Sequence, residues 1–486
     1  MAVTLRRIDE ASITPTRWRK MMPRGRRRMP VVVFTACMSV YAIWWAACYP
    51  GLMSWDSVTI VWQVTSGSWR ADHSVLYNAL GWASIATTGD LAALTLTQGA
   101  LAAATLSLMA VAIRDLGVPG RWCAAAAVVV AALPATGTFV VTVWKDVPFA
   151  LCLVAMTATV ALLVRRRRST ALAVGLAAET LALVLLRNNA FVFVLIGFVI
   201  VVVLLPGARV RVALAGAVPV SLSFLASAFV YPAMGIEPVR PWLTYATAYS
   251  DIAVTYAARP EIFGAKELDL MRRVAPLEHW RDNATCYNAD PTLSRGFDVA
   301  RSDRLHRELV GLWADLLKRV PAEVAGARLC RGSVAWKVFP EVPEERLLIG
   351  WSRVPDDLFG WSMGGKPFPE GRNRDILTTR PLSDTLHNVA AFARDVTYTR
   401  QVEWIFWRGA TWCYVAYAAV IAAAWATRRP ALLALAGIVA GQQLGVMLAI
   451  PAQLFRYMAA PMMVGMMLVP LLVAALAGRL RGREAS

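Results

Sequence analysis

The chain has 486 residues, of which 57% are hydrophobic and only 17% charged, well below the quarter or so that soluble globular proteins carry. It holds 50 Lys and Arg against 32 Asp and Glu, a formal charge of +18, yet residues 233–404 contain 23 of each sign, so the whole excess lies among the apolar runs. That distribution excludes a nucleic-acid-binding protein, a disordered chain and a disulfide scaffold, and it points to several membrane-spanning helices with basic cytoplasmic ends.

In chain order, residues 1–29 form a basic arm. The apolar run 30–49 follows it without a small-residue cleavage pattern and reads as a retained signal anchor. An outer loop, 50–90, comes next; its stretch 74–89 is apolar but short and contains Asn78, so it is expected to be interfacial or re-entrant. Runs long enough to cross a bilayer recur at 91–113, 122–143, 147–164, 210–231, 409–427, 431–450 and 457–477. The stretch 170–206 is basic at both ends and interrupted by Arg187-Asn188-Asn189. Both ends belong in the cytoplasm, so a hairpin of two short helices with its turn outside is expected, and the total becomes about ten spans.

Residues 30–232 thus form an N-terminal membrane module, 405–478 a C-terminal one, and 479–486 a basic tail. The intervening 233–404 is too long for a connector. It is expected to be a mainly helical extracytoplasmic domain between spans seven and eight, with helices around 300–319 (Leu305, Leu309, Leu312, Trp313, Leu316) and from Pro321 to about Trp336, and with Gly and Pro punctuating 340–382. With the N-terminus inside, 22 of the 27 basic residues outside that domain face the cytoplasm; only Arg70, Lys145, Arg187, Arg408 and Arg456 lie outside. Both termini are therefore expected in the cytoplasm, and a composition rich in Ala and Arg suggests a bacterial inner membrane. Five cysteines lie in apolar runs as small core residues, whereas Cys286 and Cys330 share the outer domain and are a disulfide candidate.

Nine acids lie outside 233–404. Asp9, Glu10 and Glu484 are in the tails, Asp115 sits in a cytoplasmic turn beside Arg114, and Asp90 could cap the second span. Glu179 is inside the fifth span, where it is either functional or bonded to a neighbouring helix. Asp56, Asp72 and Asp146 all fall at the outer interface in separate connections, as do Lys145, Arg187 and Arg456. The first outer loop reads Tyr49-Pro50-Gly51-Leu52-Met53-Ser54-Trp55-Asp56-Ser57, then Gln63, then Asp72-His73, with Trp55, Trp62 and Trp69 available as interface anchors. Trp144-Lys145-Asp146, Arg187-Asn188-Asn189 and the stretch from Gln453 to Arg456-Tyr457 complete the set.

Moving a sugar from a lipid phosphate to a hydroxyl needs these residue types. A carboxylate takes the acceptor proton, because an alcohol is a weak nucleophile at neutral pH. Cations stabilise the departing phosphate. Amides hydrogen-bond sugar hydroxyls.

The long first outer loop with Asp56 soon after span one, the second acidic motif Asp72-His73, the Lys145-Asp146 pair, the Arg187-Asn188-Asn189 turn and the large late outer loop together resemble the GT-C superfamily. These are polytopic membrane glycosyltransferases that use polyprenyl-phosphate-linked sugar donors, and the likeness is to an uncharacterised bacterial branch. The resemblance implies a GT-C-like fold and an inverting transfer to a glycan, lipid or protein of the cell envelope on the outer face. It implies that Asp56 and Asp72 are catalytic and are the candidate ligands for Mg2+ or Mn2+, and that Lys145, Arg187 and Arg456 hold the donor phosphate. It leaves His73, Asp146, Asn188, Asn189, Gln453 and Tyr457 to bind sugar or acceptor. Asp56 is followed by Ser57, where many relatives have a second acid, and His73 by Ser74, where Pro is usual. The metal requirement and the choice of base therefore stay open. Two alternatives also remain open: a secondary transporter, which predicts ionisable groups at the midplane such as Glu179, and a ligase-type protein whose outer domain only binds glycan.

Overall fold

The computed structural model describes residues 24–341, 362–363, 366–367 and 371–480. The basic arm 1–23, the last residues of the tail and much of the Gly- and Pro-rich stretch lie outside the described residues. The first part of the chain folds as α1 (Arg24–Ala47), α2 (Trp55–Ser66), α3 (Val75–Thr88), α4 (Ala92–Asp115), α5 (Gly120–Ala132), α6 (Pro134–Val141), α7 (Asp146–Arg165), α8 (Thr170–Leu186), α9 (Ala190–Leu204) and α10 (Arg209–Leu225).

Among the described residues seven helices are long and apolar enough to cross a membrane: Arg28–Ala47, Ala92–Asp115, Asp146–Arg165, Pro206–Ala233, Gly409–Thr427, Pro430–Ala449 and Phe455–Leu476. An eighth is added if α5 and α6, which meet at a 64° bend, make one span. Pro134 opens the second half, and having no N–H it cannot continue the ladder of the first. The protein is thus an all-α polytopic membrane protein. The expected hairpin at 170–206 is present as α8 and α9, of 17 and 15 residues. At 1.5 Å per residue each is about 23–26 Å long, short of the roughly 30 Å hydrocarbon core. Arg187 ends α8 in an extended conformation, and the Ala190 N–H closes the turn on the Arg187 carbonyl at 3.0 Å.

Glycine lets two of these helices touch. Against α9 packs a helix near the C-terminus, Leu435–Ala449, where Gly437, Gly441 and Gly445 recur every fourth residue. A Cβ on Gly441 would lie 2.6 Å from the Phe193 carbonyl oxygen, and one on Gly445 would lie 1.8 Å from the Phe193 ring. Small residues at this spacing are the usual means of close helix approach in lipid. The outward faces, such as Val31 and Ile43 of α1 and Leu195, Val199 and Val203 of α9, expose apolar side chains.

Residues 233–404 divide into two parts that behave differently. The first contains α11 (Ala246–Ala258), α12 (His306–Arg319) and α13 (Pro321–Arg331) around a core of Tyr249, Ile252, Met271, Trp280, Leu309 and Leu316. The expected apolar face of α12 is buried at Leu309, Leu312 and Leu316. Asp251, fully buried, accepts from Trp313 at 3.0 Å, Arg328 at 2.5 Å and Arg331 at 2.8 Å, which compensates its desolvation. The Cys286–Cys330 disulfide is present, with Cα atoms 5.7 Å apart. In the second part Ser362–Met363 and Lys366–Pro367 pair as two short strands, and the described residues from 373 onward lean on the bundle. Ile376 and Leu377 are buried in the membrane core cluster. The Leu382 N–H donates to Ala46 at 2.9 Å, and α14 (Asp384–Thr397) lies along α1, where His387 Nδ1 donates to the Ala47 carbonyl at 2.9 Å. The C-terminal module is α15 (Gly409–Thr427), α16 (Leu435–Ala449) and α17 (Ala459–Leu476).

Candidate functional site

The motif Tyr49-Pro50-Gly51 turns the chain after α1; its Tyr49–Pro50 peptide is cis. Gly51 is required there, since a Cβ would lie 2.8 Å from Thr95 Cγ2 and 3.1 Å from the Val141 carbonyl. Leu52 then pairs with the segment after α6: its N–H donates to Val141 at 3.0 Å and it accepts from Val143 at 2.9 Å. Two serines tighten the junction. Ser57 Oγ donates to the Val143 carbonyl at 3.0 Å, and Trp144 Nε1 donates to Ser54 Oγ at 2.5 Å. Ser54 is also the N-cap of α2, so Asp56 lies in the first turn of α2, where the helix dipole favours a negative charge. Asp146 occupies the same place on α7.

These junctions bring the candidate residues into one cluster. Arg456, in the 3-10 turn Phe455–Met458, is ion-paired to Asp56 and stands 3.3 Å from Asp146 Oδ2. Arg187 donates to the other oxygen of Asp146 at 2.7 Å. The Tyr457 ring lies 4.6 Å from the Arg187 guanidinium carbon and 5.3 Å from that of Arg456; Phe149 backs Arg187 and Trp144 backs Arg456, each at 5.3 Å. Aromatic faces at these distances partly replace the solvation two guanidiniums lose together. The Lys145 ammonium makes no hydrogen bond or ion pair among the described residues, and Asp56, Asp146, Arg187 and Arg456 are all close enough to act on its charge.

His73 stands between two carboxylates, its Nε2 3.9 Å from Asp56 and its Nδ1 3.6 Å from Asp72. Both separations suit ion pairing but are too long for hydrogen bonds, and both ring nitrogens are buried without a hydrogen-bond partner. Asp72 accepts from Gln63 at 3.0 Å and lies 3.5 Å from Arg70. Gln63 in turn accepts from the Arg70 N–H and from Asn78, which explains why the polar Asn78 sits in an apolar helix. Burial alone would raise both carboxyls. For Asp56 the charge of Arg456, then His73 and Lys145, overcomes it and holds the group well below its usual range. For Asp72 the pull of His73, Arg70 and Lys145 brings it down to about 2. Lys145 is lowered from its ordinary value, because desolvation outweighs the attraction of Asp56 and Asp146.

Several of the remaining residues have partners within the protein. Asn188 donates to the Ala71 carbonyl at 2.8 Å, and Asn189 accepts from Arg187 Nε at 3.2 Å while donating to Ala449 at 3.3 Å. Both amides therefore shape the Arg187 turn. Gln453 donates to the Cys330 carbonyl and to Ser333 Oγ, each at 2.7 Å, and so fastens the helical domain around α11–α13 to the bundle. Trp62 is buried inside α2's packed face and is no interface anchor, unlike the exposed Trp55. Asp115 pairs with Arg166 at 3.0 Å. Asp90 lies one residue before Leu91, the N-cap of α4, and its carboxylate accepts from the Ala92 N–H at 2.8 Å and from Tyr49. Glu179 accepts from Thr159 of α7 at 2.8 Å, the bond to a neighbouring helix that the sequence left as one of two readings.

Two residues at the cluster were not among the site candidates read from the sequence, although Arg70 was placed on the outer side. Arg70 links Asp72 to Glu237 at the start of the outer domain, 3.7 Å away, where the chain segments also pair through Ala71 and Glu237. Its position two residues before Asp72 was the available signal. Asp290 is carried to the cluster because residues 287–289 pair with 451–453. It keeps solvent exposure, yet desolvation against the facing bundle raises its carboxyl, and the charges of Arg456 and Asp56 both reach it. No local pattern could reveal a contact that spans some 160 residues of chain.

Among the described residues no three His, Cys, Asp or Glu side chains gather as metal ligands. An ion at Asp56 and Asp72 would share them with Arg456, Gln63 and Arg70. No protein-family model, no curated protein and no solved structure matches this chain.

Proposed function

We propose that the protein is a membrane glycosyltransferase of GT-C type, moving a sugar with inversion from a polyprenyl-phosphate donor to a cell-envelope acceptor on the outer face. The observation that carries this reading is the convergence of Asp56, Asp146, Arg187, Arg456, Lys145 and His73, from four separate segments, at one end of the helix bundle. Two guanidiniums and an ammonium within one partly desolvated cluster suit a phosphate. Asp146 Oδ2, Arg456 Nε and both His73 ring nitrogens are buried and make no hydrogen bond among the described residues, which leaves hydrogen-bonding capacity for a ligand.

In the unliganded protein Arg456 masks Asp56 and makes it a weak base. A donor phosphate arriving between Arg456, Arg187 and Lys145 competes for Arg456 and releases Asp56. The freed carboxylate accepts the proton of the acceptor hydroxyl as the acceptor oxygen bonds to the anomeric carbon. The bond from that carbon to the phosphate oxygen breaks, and the phosphate leaves with the electron pair, held by the three cations. His73 stands between Asp56 and Asp72 and helps to offset their charge, and the proton stays on Asp56. A divalent ion, Mg2+ or Mn2+, is no part of this sequence, and a chelator decides whether one assists.

The test separates the two roles of the Asp56–Arg456 pair. Asp56→Asn is expected to lower kcat by about 100-fold or more and to lower donor KM as well, because the phosphate no longer competes with Asp56 for Arg456. Arg456→Gln is expected to raise donor KM and lower kcat together. An Asp56→Asn enzyme with unchanged kcat would show that another group, Asp290 or Asp72, is the base.

A further inference from the structure

A cavity of about 320 Å³ opens at the opposite end of α7 from Asp146. The positive-inside rule assigns that end to the cytoplasm. Its floor is apolar, formed by Leu116, Val164 and Leu432, and its rim carries Arg165, Arg167 and Arg429. Among the described residues no acid lines it, and the acid beside Leu116, Asp115, is taken by Arg166 at 3.0 Å. Arg165 and Arg167 form no ion pair or side-chain hydrogen bond among the described residues, so two guanidiniums face the opening uncompensated. The cavity lies where α4, α7 and α15 all end, and the partial negative charge of three helix C-termini explains why cations collect there. It does not explain why they border a hollow.

Depth in the membrane decides what the hollow suits. Trp425, in the last turn of α15 two residues before Thr427 of the cavity wall, is 78% exposed. Exposed Trp at a span end marks the headgroup level. A soluble anion would be held by arginines alone and would gain nothing from the leucine and valine floor. A lipid headgroup at this level meets the arginines with its phosphate and the apolar floor with its glycerol and upper acyl carbons.

We propose that this cavity is a binding site for an anionic phospholipid of the cytoplasmic leaflet, held through its phosphate by Arg165, Arg167 and Arg429. The site is independent of the proposed transferase chemistry, and its occupant bridges the ends of α4, α7 and α15. Basic pockets between spans on the cytoplasmic side are a recognised form of anionic-lipid recognition.

Native mass spectrometry of the full chain in mild detergent tests this, with phosphatidylglycerol, phosphatidylcholine and inorganic phosphate as separate probes. The wild type is expected to retain one phosphatidylglycerol at about tenfold lower lipid concentration than phosphatidylcholine. The combined Arg165→Gln, Arg167→Gln, Arg429→Gln variant should retain the two lipids equally. Arg428→Gln, which removes a neighbouring charge outside the lining, should behave as wild type. A triple Arg→Lys variant keeps the charge and guards against misfolding or inverted topology; partial retention is expected of it. Equal retention of phosphatidylglycerol by the wild type and the Gln variant would overturn the proposal. Displacement of the bound lipid by millimolar inorganic phosphate would also overturn it, because the occupant would then be a soluble anion.

Discussion

Asp72 is the residue whose environment makes the most direct statement about stability. Its carboxyl is held at about 2 by His73, Arg70 and Lys145 against the opposing effect of burial, and its side chain is only 13% exposed. A carboxyl depressed in the folded state stabilises it above the unfolded value of about 3.9 and loses that contribution as pH falls towards 2. Asp72→Asn is therefore expected to cost about 2 kcal/mol at neutral pH, seen as a lowered Tm in detergent. The gap to wild type should shrink as pH drops below about 4. A gap constant from pH 7 to pH 3 would mean that the charge on Asp72 is not what its neighbours hold. Residue types and spacing announced Asp56, Asp72, Asp146, Lys145, Arg187 and Arg456 as groups that gather at one end of the bundle, because charge in an apolar chain is conspicuous. They could not announce which polar groups are consumed by the backbone. Asn188, Asn189 and Gln453 look like ligand-binding amides in sequence and are hydrogen-bonded to carbonyls in the fold.

At the scale of elements, the helix pair α9 and α16 sets the position of Arg187. Asn189 at the start of α9 donates to Ala449 at the end of α16, and the glycines between keep the two axes close. Gly441→Leu inserts a side chain where even a Cβ meets the Phe193 carbonyl and the Gly197 backbone within 2.8 Å. It should separate the helices, lower the Tm and reduce transferase activity by moving Arg187 off Asp146, at an overpacking cost of about 1–3 kcal/mol or more. Gly175→Leu, on an open face of α8, is the control and should do neither. In the outer domain, Cys286→Ser removes a crosslink closing a loop of 44 residues and should cost about 2–4 kcal/mol, measured by thermal unfolding with and without reductant. Wild type insensitive to reductant would contradict this. Helices were the most legible elements, since apolar length and basic flanks mark them directly, and the Arg187-Asn188-Asn189 break was read correctly as a turn between two short helices. The 64° bend at Pro134 and the leaning of residues 373–397 on α1 were not legible, because both depend on tertiary packing.

For the whole molecule, the separation of a charged, aromatic-lined cluster at one end from arginine clusters at the other is the organising feature. If the arginine-rich end is cytoplasmic, a membrane-impermeant thiol reagent should label Ser294→Cys in intact cells and Thr170→Cys only after permeabilisation. The reverse pattern would place the Asp56 cluster inside and remove the basis for envelope chemistry. The measurement that bears most directly on the account is release of polyprenyl phosphate from a panel of lipid-linked sugars by purified protein in the presence of envelope acceptor, with Asp56→Asn alongside and a chelator arm in parallel. The account predicts release by the wild type from one donor class and a loss of about 100-fold or more in the variant. Equal release by wild type and variant, or no release from any donor, would contradict it.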